Sequence, residues 1–467
     1  MKKNQIIKNL EISDIAAEGV SVGRYESYVI FVRDVIPGDV VDVVLTRPRK
    51  SYSESKLLKI NKFSEDRIIP FCEHFTKCGG CKWQMLSYDK QLFYKQKQVV
   101  DQLSRIGKIE ISKINPIISS EQTQFYRNKL EYTFSYRRWL ETNEAQHEKG
   151  DRELEGLGFH VSGMFDRIID INHCFLQAEP SNEIRNKIRN FTRQNGYDYY
   201  NSRSHEGFMR NIIIRNSSIG ELMVIVIFNI DNQILINNLM DFIAKEFSQI
   251  TSLQYIINRK FNDSIFDQDV ILYKGKDHII ENLDGLSFKI NAKSFFQTNT
   301  AQTLKLYEKV VQFSDIQGNN IIYDLYTGTG TIANFVARKC MKVIGIDSIP
   351  EAIEDAKINS HLNGITNTSF YVGDMKDLLT VDFVKNHGKP DVIILDPPRA
   401  GIHENVVSVL KNVLSSKIVY VSCNPATQAR DINLLLDLYE VTEIQPVDMF
   451  PHTHHVENIV LLKLKNK

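Results

Sequence analysis

The chain has 467 residues, enough for about two to four domains, with 42% hydrophobic residues and no repeat or low-complexity tract. Its 57 Lys and Arg balance its 57 Asp and Glu, so bulk charge cannot hold a polyanion, and any affinity for nucleic acid must come from local patches and stacking. Met1-Lys2-Lys3-Asn4-Gln5 leads into polar sequence and no apolar run approaches a membrane span, so the expectation is a cytoplasmic monomer without a membrane partner.

Residues 1–62 read as short strands punctuated by turns: Gly19 to Arg24, Tyr28 to Val32, Val40 to Leu45 and Ser55 to Ile60. About five such strands make a small barrel of the oligonucleotide-binding kind, with Arg47, Arg49 and Lys50 as a basic turn. Residues 63–285 form a mixed α+β region. Cys72, Cys78 and Cys81 have the spacing C-x5-C-x2-C with Gly79-Gly80 between the last two, and Cys174 follows much later. A cytosolic chain should not rely on disulfides. Four thiolates suit zinc or an iron–sulfur cluster, and spacing alone does not separate them. Tyr88 to Leu103 reads as a helix. Phe125 to Lys129, Tyr132 to Tyr136, Gly158 to His160, Met209 to Arg215 and Leu222 to Phe228 read as strands, with 141–155 a charged loop. Arg127, Lys129 and Arg210 are candidate phosphate contacts, ranked low because surface ion pairs explain them almost as well.

Residues 286–467 read as an α/β domain. Of Phe295-Phe296 at least one should be core, with the neighbouring Gln297 facing a ligand. Ile321 to Tyr326 is a buried strand, Thr327-Gly328-Thr329-Gly330-Thr331 a Gly-rich turn, Ile332 to Lys339 a helix, and Lys342 to Asp347 a second strand ending in an acid. This is a nucleotide-type βαβ unit in which glycines admit a ligand and the acid can bind ribose. NAD is a rival ligand on this turn alone; the carboxylate at Asp324 and a later Asp-Pro-Pro loop suit S-adenosylmethionine better, since that donor has no pyrophosphate to cradle. Cys340 is read as packing. Asp391 to Leu395 is a strand ending in Asp396-Pro397-Pro398-Arg399-Ala400-Gly401. Ile418 to Ser422 is another, ending in Cys423-Asn424-Pro425. A thiol at a strand's carboxyl end can act as a nucleophile, where an isolated Cys would be read as core. The turn from Val447 to Glu457 closes on a carboxylate able to accept a proton. A metal at His452, His454 and His455 is disfavoured, because consecutive residues of an extended strand point to opposite faces.

Taken in order, Ser294-Phe-Phe-Gln-Thr-Asn299, the Gly-rich turn, Asp-Pro-Pro-Arg-x-Gly, Tyr420-x-Ser-Cys-Asn-x-x-Thr427 and the stretch ending at Glu457 resemble the RNA uracil-5-methyltransferases. Residues 1–62 resemble the TRAM domain that precedes RNA-modifying enzymes. The resemblance implies a Rossmann-like class I methyltransferase domain at 286–467. It implies Cys423 as nucleophile, Glu457 as base, and Gln297, Tyr326, Thr331, Asp347, Asp374 and Asp396 around S-adenosylmethionine. Thr327, Thr331 and Asp347 depart from the family's usual Cys, Asn and Glu, which leaves the individual contacts open. Cys72, Cys78, Cys81 and Gln84, completed by Cys174, resemble the ligand pattern of members carrying a 4Fe-4S cluster, whose role here would be structural and RNA-positioning.

Thiolate addition to carbon 6 of uracil would make carbon 5 nucleophilic toward a sulfonium methyl, and a carboxylate would then remove the carbon-5 proton. That chemistry leads one to expect a Cys423 pKa lowered by its surroundings. The implied activity is methylation of 23S ribosomal RNA, involving rRNA processing and RNA binding. The T-loop uridine of tRNA is the alternative substrate, and a non-catalytic iron–sulfur RNA-binding protein the alternative of another class.

Overall fold

The computed structural model describes residues 1–111, 113–140 and 154–466. Most of the stretch read as a charged loop, 141–155, lies outside them.

The first five strands, β1 (Ile6–Ile15), β2 (Ser21–Tyr25), β3 (Tyr28–Val32), β4 (Val40–Pro48) and β5 (Tyr52–Lys62), close into a barrel in the order β1-β2-β3-β5-β4. Val41, Val43 and Leu45 of β4 alternate inward onto Ile7, Leu10, Ile30 and Val32, the period-2 pattern of a one-sided strand. The strand absent from the reading above is β1. Its alternation breaks at a bulge between Ile7 and Leu10, where Asn9 takes φ 52°. Arg47, Arg49 and Lys50 are exposed at the β4–β5 tip.

Helix α1 (Tyr88–Arg105) follows the cysteine loop. The middle of the chain supplies β6 (Lys129–Ser135), β7 (Gly156–His160), β8 (Ile168–Asp170), α2 (Ser181–Gln194), β9 (Met209–Asn216), β10 (Leu222–Phe228), α3 (Gln233–Glu246), β11 (Ser252–Ile257) and β12 (Val270–Gly275). Among the described residues the strands form one sheet, β12-β11-β10-β9-β6-β7-β8. One face packs on α2 and α3 through Ile184, Ile188, Leu239 and Ile243. The other, through Ile213, Met223, Ile225 and Ile227, shares a core with the C-terminal part of the chain. Phe125 to Asn128, expected as strand, are irregular, and Phe125 sits at φ 56°.

A hairpin of β13 (His278–Leu283) and β14 (Leu286–Asn291) leads into the last unit. This runs α4 (Thr300–Ser314), β15 (Ile321–Leu325), α5 (Thr331–Ala337), β16 (Lys342–Asp347), α6 (Pro350–Leu362), β17 (Thr368–Val372), α7 (Met375–Leu378), α8 (Val381–His387), β18 (Val392–Leu395), α9 (Glu404–Val413), β19 (Lys417–Ser422), α10 (Pro425–Asn433), β20 (Tyr439–Val447) and β21 (Glu457–Leu464). The sheet order is β17-β16-β15-β18-β19-β21-β20. The first five strands are parallel, and β21 is antiparallel to both β19 and β20. Val392–Leu395 is buried at every residue, as expected of a parallel strand covered on both faces. Strand order reverses between β15 and β18, the switch point outside which ligands bind in such sheets. Cys340 packs partly buried against the core.

The three parts meet at the segment between β20 and β21. Helix α1 buries Gln91, Lys95, Val99 and Leu103, an i, i+4 stripe whose first two members are polar. Lys95 Nζ, fully buried, donates to Asp448 Oδ1 at 2.5 Å and to the Phe450 carbonyl at 3.0 Å. Gln91 Oε1 accepts from the His452 amide at 2.8 Å, and the Tyr88 hydroxyl donates to Asp448 Oδ2 at 2.8 Å. From the cysteine loop, the amides of Lys82 and Trp83 both donate to the His452 carbonyl. The barrel closes over the segment at Gly19, where an added Cβ would stand 2.7 Å from the His454 Cβ. No helix among the described residues is long and apolar enough to cross a membrane.

Removing one partner of a fully buried pair strands the other charge, at a cost of about 3–5 kcal/mol. Asp448→Ala should therefore destabilise the chain on that scale in urea unfolding. A loss under about 1 kcal/mol would show that the pair does not hold the segment.

Candidate active site

Outside the carboxyl ends of β15, β16, β18 and β19, loops from distant parts of the sequence converge. Tyr326, the first residue after β15, takes φ 66°, a left-handed conformation costly for a side chain of this size and held here by its amide bond to the Ile346 carbonyl. The strained corner starts the Gly-rich turn. Gly330, at φ 74°, has no room for a Cβ, which would lie 2.8 Å from Ala356 Cβ. At Gly328 nothing lies within 4 Å of an added Cβ, so this face of the turn is open. The Gly328 amide donates to Asp347 Oδ2 at 2.9 Å.

Three carboxylates gather at this turn. Asp324 is buried and accepts from Thr327 Oγ1 at 2.6 Å, while its Oδ1 is buried with no hydrogen-bond partner. Burial, with the charges of Asp396 and Asp347 adding to it, pushes Asp324 up to about 7. Desolvation likewise pushes Asp396 to about 7. An orphaned buried oxygen amid clustered acids fits a ligand that brings positive charge. A ligand bringing a pyrophosphate would add repulsion.

Of the other residues expected around that ligand, Thr331 Oγ1 shares a hydrogen bond of 2.8 Å with the buried Tyr307 hydroxyl. Gln297 lies on the turn after β14, with its carbonyl held by Asn128 Nδ2 at 2.9 Å. That turn is tied to the Gly-rich turn by Thr329 Oγ1, which donates to the Phe295 carbonyl. Phe296 is core and Phe295 is 69% exposed. Asp374 caps α7, is paired with Lys376 and is largely exposed, the least enclosed of the set.

Cys423 and Glu457 are brought together by strand pairing. In the β19–β21 ladder Ser422 stands opposite Asn458, so Cys423 and Glu457 occupy the next opposed positions on one face. Gln428 Nε2 donates to the carbonyls of Tyr420 and Asn458, and Asn458 Nδ2 returns a bond to Gln428, which clamps the two strands at that level. The Asp-Pro-Pro-Arg loop is fastened above them. Asn424 Nδ2 and Thr427 Oγ1 both donate to the Arg399 carbonyl at 3.1 Å, and Asp431 Oδ2 accepts from the Ile402 amide and the Tyr420 hydroxyl. The exposed Arg399 guanidinium then reaches the Cys423 thiol and the His455 ring, the latter at 3.2 Å.

The expected lowering of the Cys423 pKa is not found. Burial first, then the Glu457 carboxylate, pushes the thiol up to about 11, with Asp396 adding to the rise and Arg399 opposing it. Glu457 itself is buried and pushed up to about 8 by desolvation and by Asp396. Cys423 is thus a protonated, partly buried thiol among carboxyls with one cation beside it. Arg210, ranked as a possible phosphate contact, is also corrected. It is buried, stacks on Tyr200 and donates to the carbonyls of Asn258, Lys260 and Asn262, so it holds a loop. Lys129 lies against Arg215 on the opposed strand, and burial together with that neighbour lowers it to about 8. Arg399, Tyr307 and Asp431 were not singled out individually in the sequence, and His455 was weighed there only as a metal ligand; Arg399 was visible only as part of its loop.

The four cysteines Cys72, Cys78, Cys81 and Cys174 line a single small cavity of about 30 Å³, beside Gln84. All are free thiols. Gln84 Oε1 accepts from the Cys72 amide, and the Gly80 amide points at Cys78 Sγ. Burial, reinforced by the neighbouring thiols, pushes Cys78 up to about 12, and Cys81 likewise. Among the described residues no three His, Cys, Asp or Glu side chains are set around one point as a metal ion requires. The thiols border a space instead. The three histidines His452, His454 and His455 pack in the clasped segment, burial keeping each neutral.

A family model described as tRNA (uracil-5-)-methyltransferase matches residues 221–465. A protein of Bacteroides thetaiotaomicron described as an uncharacterised RNA methyltransferase is 53% identical over 97% of this chain and 100% of its own. One of Chlorobaculum tepidum with the same description is 35% identical over 98% and 96%. Among solved structures, the Pyrococcus abyssi tRNA (uracil-54, C5)-methyltransferase in complex with S-adenosyl-L-homocysteine superposes with a TM-score of 0.76 at 29% identity, covering 98% of this chain and 100% of that one.

The charges around the thiol predict its reactivity. Glu457→Gln should move alkylation of Cys423, followed by peptide mass spectrometry, to lower pH, and Arg399→Leu should move it to higher pH. An unchanged pH profile in both variants would remove these two side chains from the thiol's surroundings.

Proposed function

The chain belongs to the tRNA (uracil-5-)-methyltransferase family, and from that premise we propose that it methylates carbon 5 of a uridine in 23S ribosomal RNA through a covalent Cys423–uracil adduct. The observation that carries this reading is the opposed placement of Cys423 and Glu457 across the β19–β21 ladder beneath Arg399. The proposal divides the chain into a TRAM-like barrel at 1–62, a cysteine-bearing central domain at 63–285 and a Rossmann-like catalytic domain at 286–467.

In this reading the Cys423 sulfur adds to carbon 6 as a thiolate, and the electron pair moves to carbon 5. S-adenosylmethionine, when bound, supplies the electrophilic methyl group and leaves as S-adenosylhomocysteine. Gln297, Tyr326, Thr331, Asp347, Asp374 and Asp396 would hold it, and the gathered acids suit its cationic sulfonium and ammonium. Glu457 then takes the proton from carbon 5, the S–C6 bond breaks, and the thiolate is released. The thiol must ionise against its environment. Arg399 is the group on the page that favours the anion, and a closed, dry pocket strengthens that attraction. A buried carboxylate with a pKa near 8 is a stronger base than an exposed one and suits proton removal from carbon.

The four-cysteine cavity supports a 4Fe-4S cluster held by Cys72, Cys78, Cys81 and Cys174. Bound there, it would brace the loop whose Lys82 and Trp83 amides grip the His452 carbonyl. Methyl transfer consumes no electrons, so its role is structural and RNA-positioning. This cysteine-bearing region is what favours ribosomal RNA. A second reading, uridine 54 of tRNA, is favoured by the substrate in the name of the Pyrococcus abyssi neighbour.

Transcripts of both RNAs containing 5-fluorouridine decide between them, because fluorine cannot leave as a proton and the adduct should survive a denaturing gel. A band on 23S RNA that disappears with Cys423→Ala is the expected result. A band on tRNA alone selects the second reading, and no band with either overturns the nucleophile.

Turnover depends on an ionised Glu457, whose raised pKa leaves it protonated below about 8. The rate should rise with pH from 6 to 9 as Glu457 and then the Cys423 thiol, held near 11, ionise; a flat profile contradicts the assignment. After anaerobic reconstitution about four iron and four sulfide per chain are expected, and fewer in Cys78→Ala. One zinc and no sulfide would exclude the cluster.

A further inference from the structure

Beside the catalytic end of the sheet lies a second cavity, of about 300 Å³, that none of the chemistry above uses. It opens between the irregular segment before β6, the β9–β10 turn, the β13–β14 turn and the first turn of α4. Its volume is at the lower end of the range for small-molecule sites. Phe125, 40% exposed and held at φ 56°, presents a ring at its edge, and Arg127, Asn128, Asn216 and Asn282 line it with polar groups.

These groups are only partly committed. Arg127 lies over the Phe450 ring at 5.2 Å, and among the described residues it has no carboxylate partner and its Nε is buried without a hydrogen bond. Asn216 Oδ1 accepts from Gln177 and Asn282 Oδ1 from the Gly285 amide, so each amide NH2 is left to point elsewhere. Asn128 spends its NH2 on the Gln297 carbonyl and Thr300 Oγ1, which leaves its Oδ1 as an acceptor. Donors, an acceptor, a cation and an aromatic edge around a cavity of this size match the edge and face of a nucleobase. A lipid or an apolar peptide would leave these polar groups unpaired, and no bare phosphate needs the ring.

The cavity is also wired to the catalytic residues. Asn128 holds the turn that carries Gln297, and Asn299, at the start of α4, donates to the Met449 carbonyl in the clasped segment. From Arg127 the contacts run through Phe450 to His455, and from His455 to Arg399 beside the thiol.

We propose that this cavity receives a second unstacked base of the RNA substrate, near the target uridine in the folded RNA, with Phe125 against its face and the asparagine amides and Arg127 on its edge. The proposal rests on the RNA-methylating reading. It makes recognition two-pointed: the target uracil enters at Cys423 while another base anchors the strand outside the reaction centre. An RNA that cannot unstack the second base binds more weakly and is methylated at the same maximal rate once saturating.

Ala301 tests this, because it is exposed on the cavity wall and has no side-chain hydrogen-bonding group. Ala301→Phe fills the space, and Phe125→Leu removes the ring. Both should fold as the parent does in thermal unfolding. Each should weaken binding of the substrate RNA about tenfold, the scale of one stacked base, and raise KM with kcat unchanged. Binding of S-adenosylhomocysteine should not move. 2-Aminopurine placed at successive positions around the target should identify the anchoring base as one whose fluorescence changes with the parent and not with Ala301→Phe. Unaltered RNA affinity in Ala301→Phe overturns the pocket, as does a fall in kcat at unchanged affinity. RNA binding is read without catalysis. An absent 5-fluorouridine adduct with the parent therefore sinks the methylation reading, whereas parent-like affinity in the variants sinks only the anchoring site.

Discussion

The buried pair of Lys95 and Asp448 is the contact on which the site's geometry depends. The two residues are 353 positions apart in the chain, and both side chains are fully buried. Desolvation lowers the Lys95 pKa and Asp448 opposes that, so each charge is tolerable only while the other is in place. Around the pair the chain adds neutral bonds of the ordinary strength from Gln91, Lys82 and Trp83, and a charge-assisted one from the Tyr88 hydroxyl to Asp448. Together they fix the segment that precedes Glu457, so helix α1 and the cysteine loop decide where the Glu457 carboxyl can sit.

That constraint explains the electrostatics of the centre. A clasp tight enough to hold Glu457 at 4% exposure also removes water from Cys423, and the same walls that bring the acid close raise the thiol. Low dielectric strengthens every charge in the site, and here most of the titratable groups are carboxyls: Asp324, Asp347, Asp396 and Glu457. This arrangement keeps the Cys423 thiol protonated. Positive charge, from Arg399 on one side and from a cationic ligand on the other, is what the centre lacks until it is loaded. The protection this gives a cysteine in a cell is the counterpart of the cost of ionising it.

Much of this was legible in the sequence, for reasons that differ by residue. Cys423, Asp396 and Asp324 each stand at the end of an apolar β-branched run, and the end of a parallel strand in a sheet of this kind has one place to be. The barrel's β4 was legible because Val41, Val43 and Leu45 alternate cleanly, whereas the bulge at Lys8-Asn9 breaks the alternation of β1 and hides it. Arg210 looked like a surface cation because its partners lie 48 to 53 residues away, in a loop with no periodicity. The expected acidity of the Cys423 thiol failed for the same kind of reason. Its direction depends on Glu457, Asp396 and Arg399 arriving from three other loops, and a local stretch of sequence carries no record of how much water they exclude. Lys95 occupies one of four buried positions at i, i+4 spacing in α1, but a lysine in an amphipathic stripe does not announce a partner at Asp448.

The register of β21 against β19 has a consequence for how such a protein can change over evolutionary time. Cys423, one residue past the end of β19, and Glu457, the first residue of β21, are set against each other by the backbone ladder that ends at Ser422 and Asn458, so their relative placement is quantised in steps of one residue. A single inserted or deleted codon between Pro446 and Asn458 would turn Glu457 to the opposite face of the sheet or strain the clasp, and no gradual series of intermediates connects the two. The β4–β5 tip of the barrel carries no such quantisation and can lengthen or shorten by degrees. Length variation accumulated among descendants of this sequence would therefore fall on exposed turns such as this tip, with the stretch from Pro446 to Asn458 holding its length.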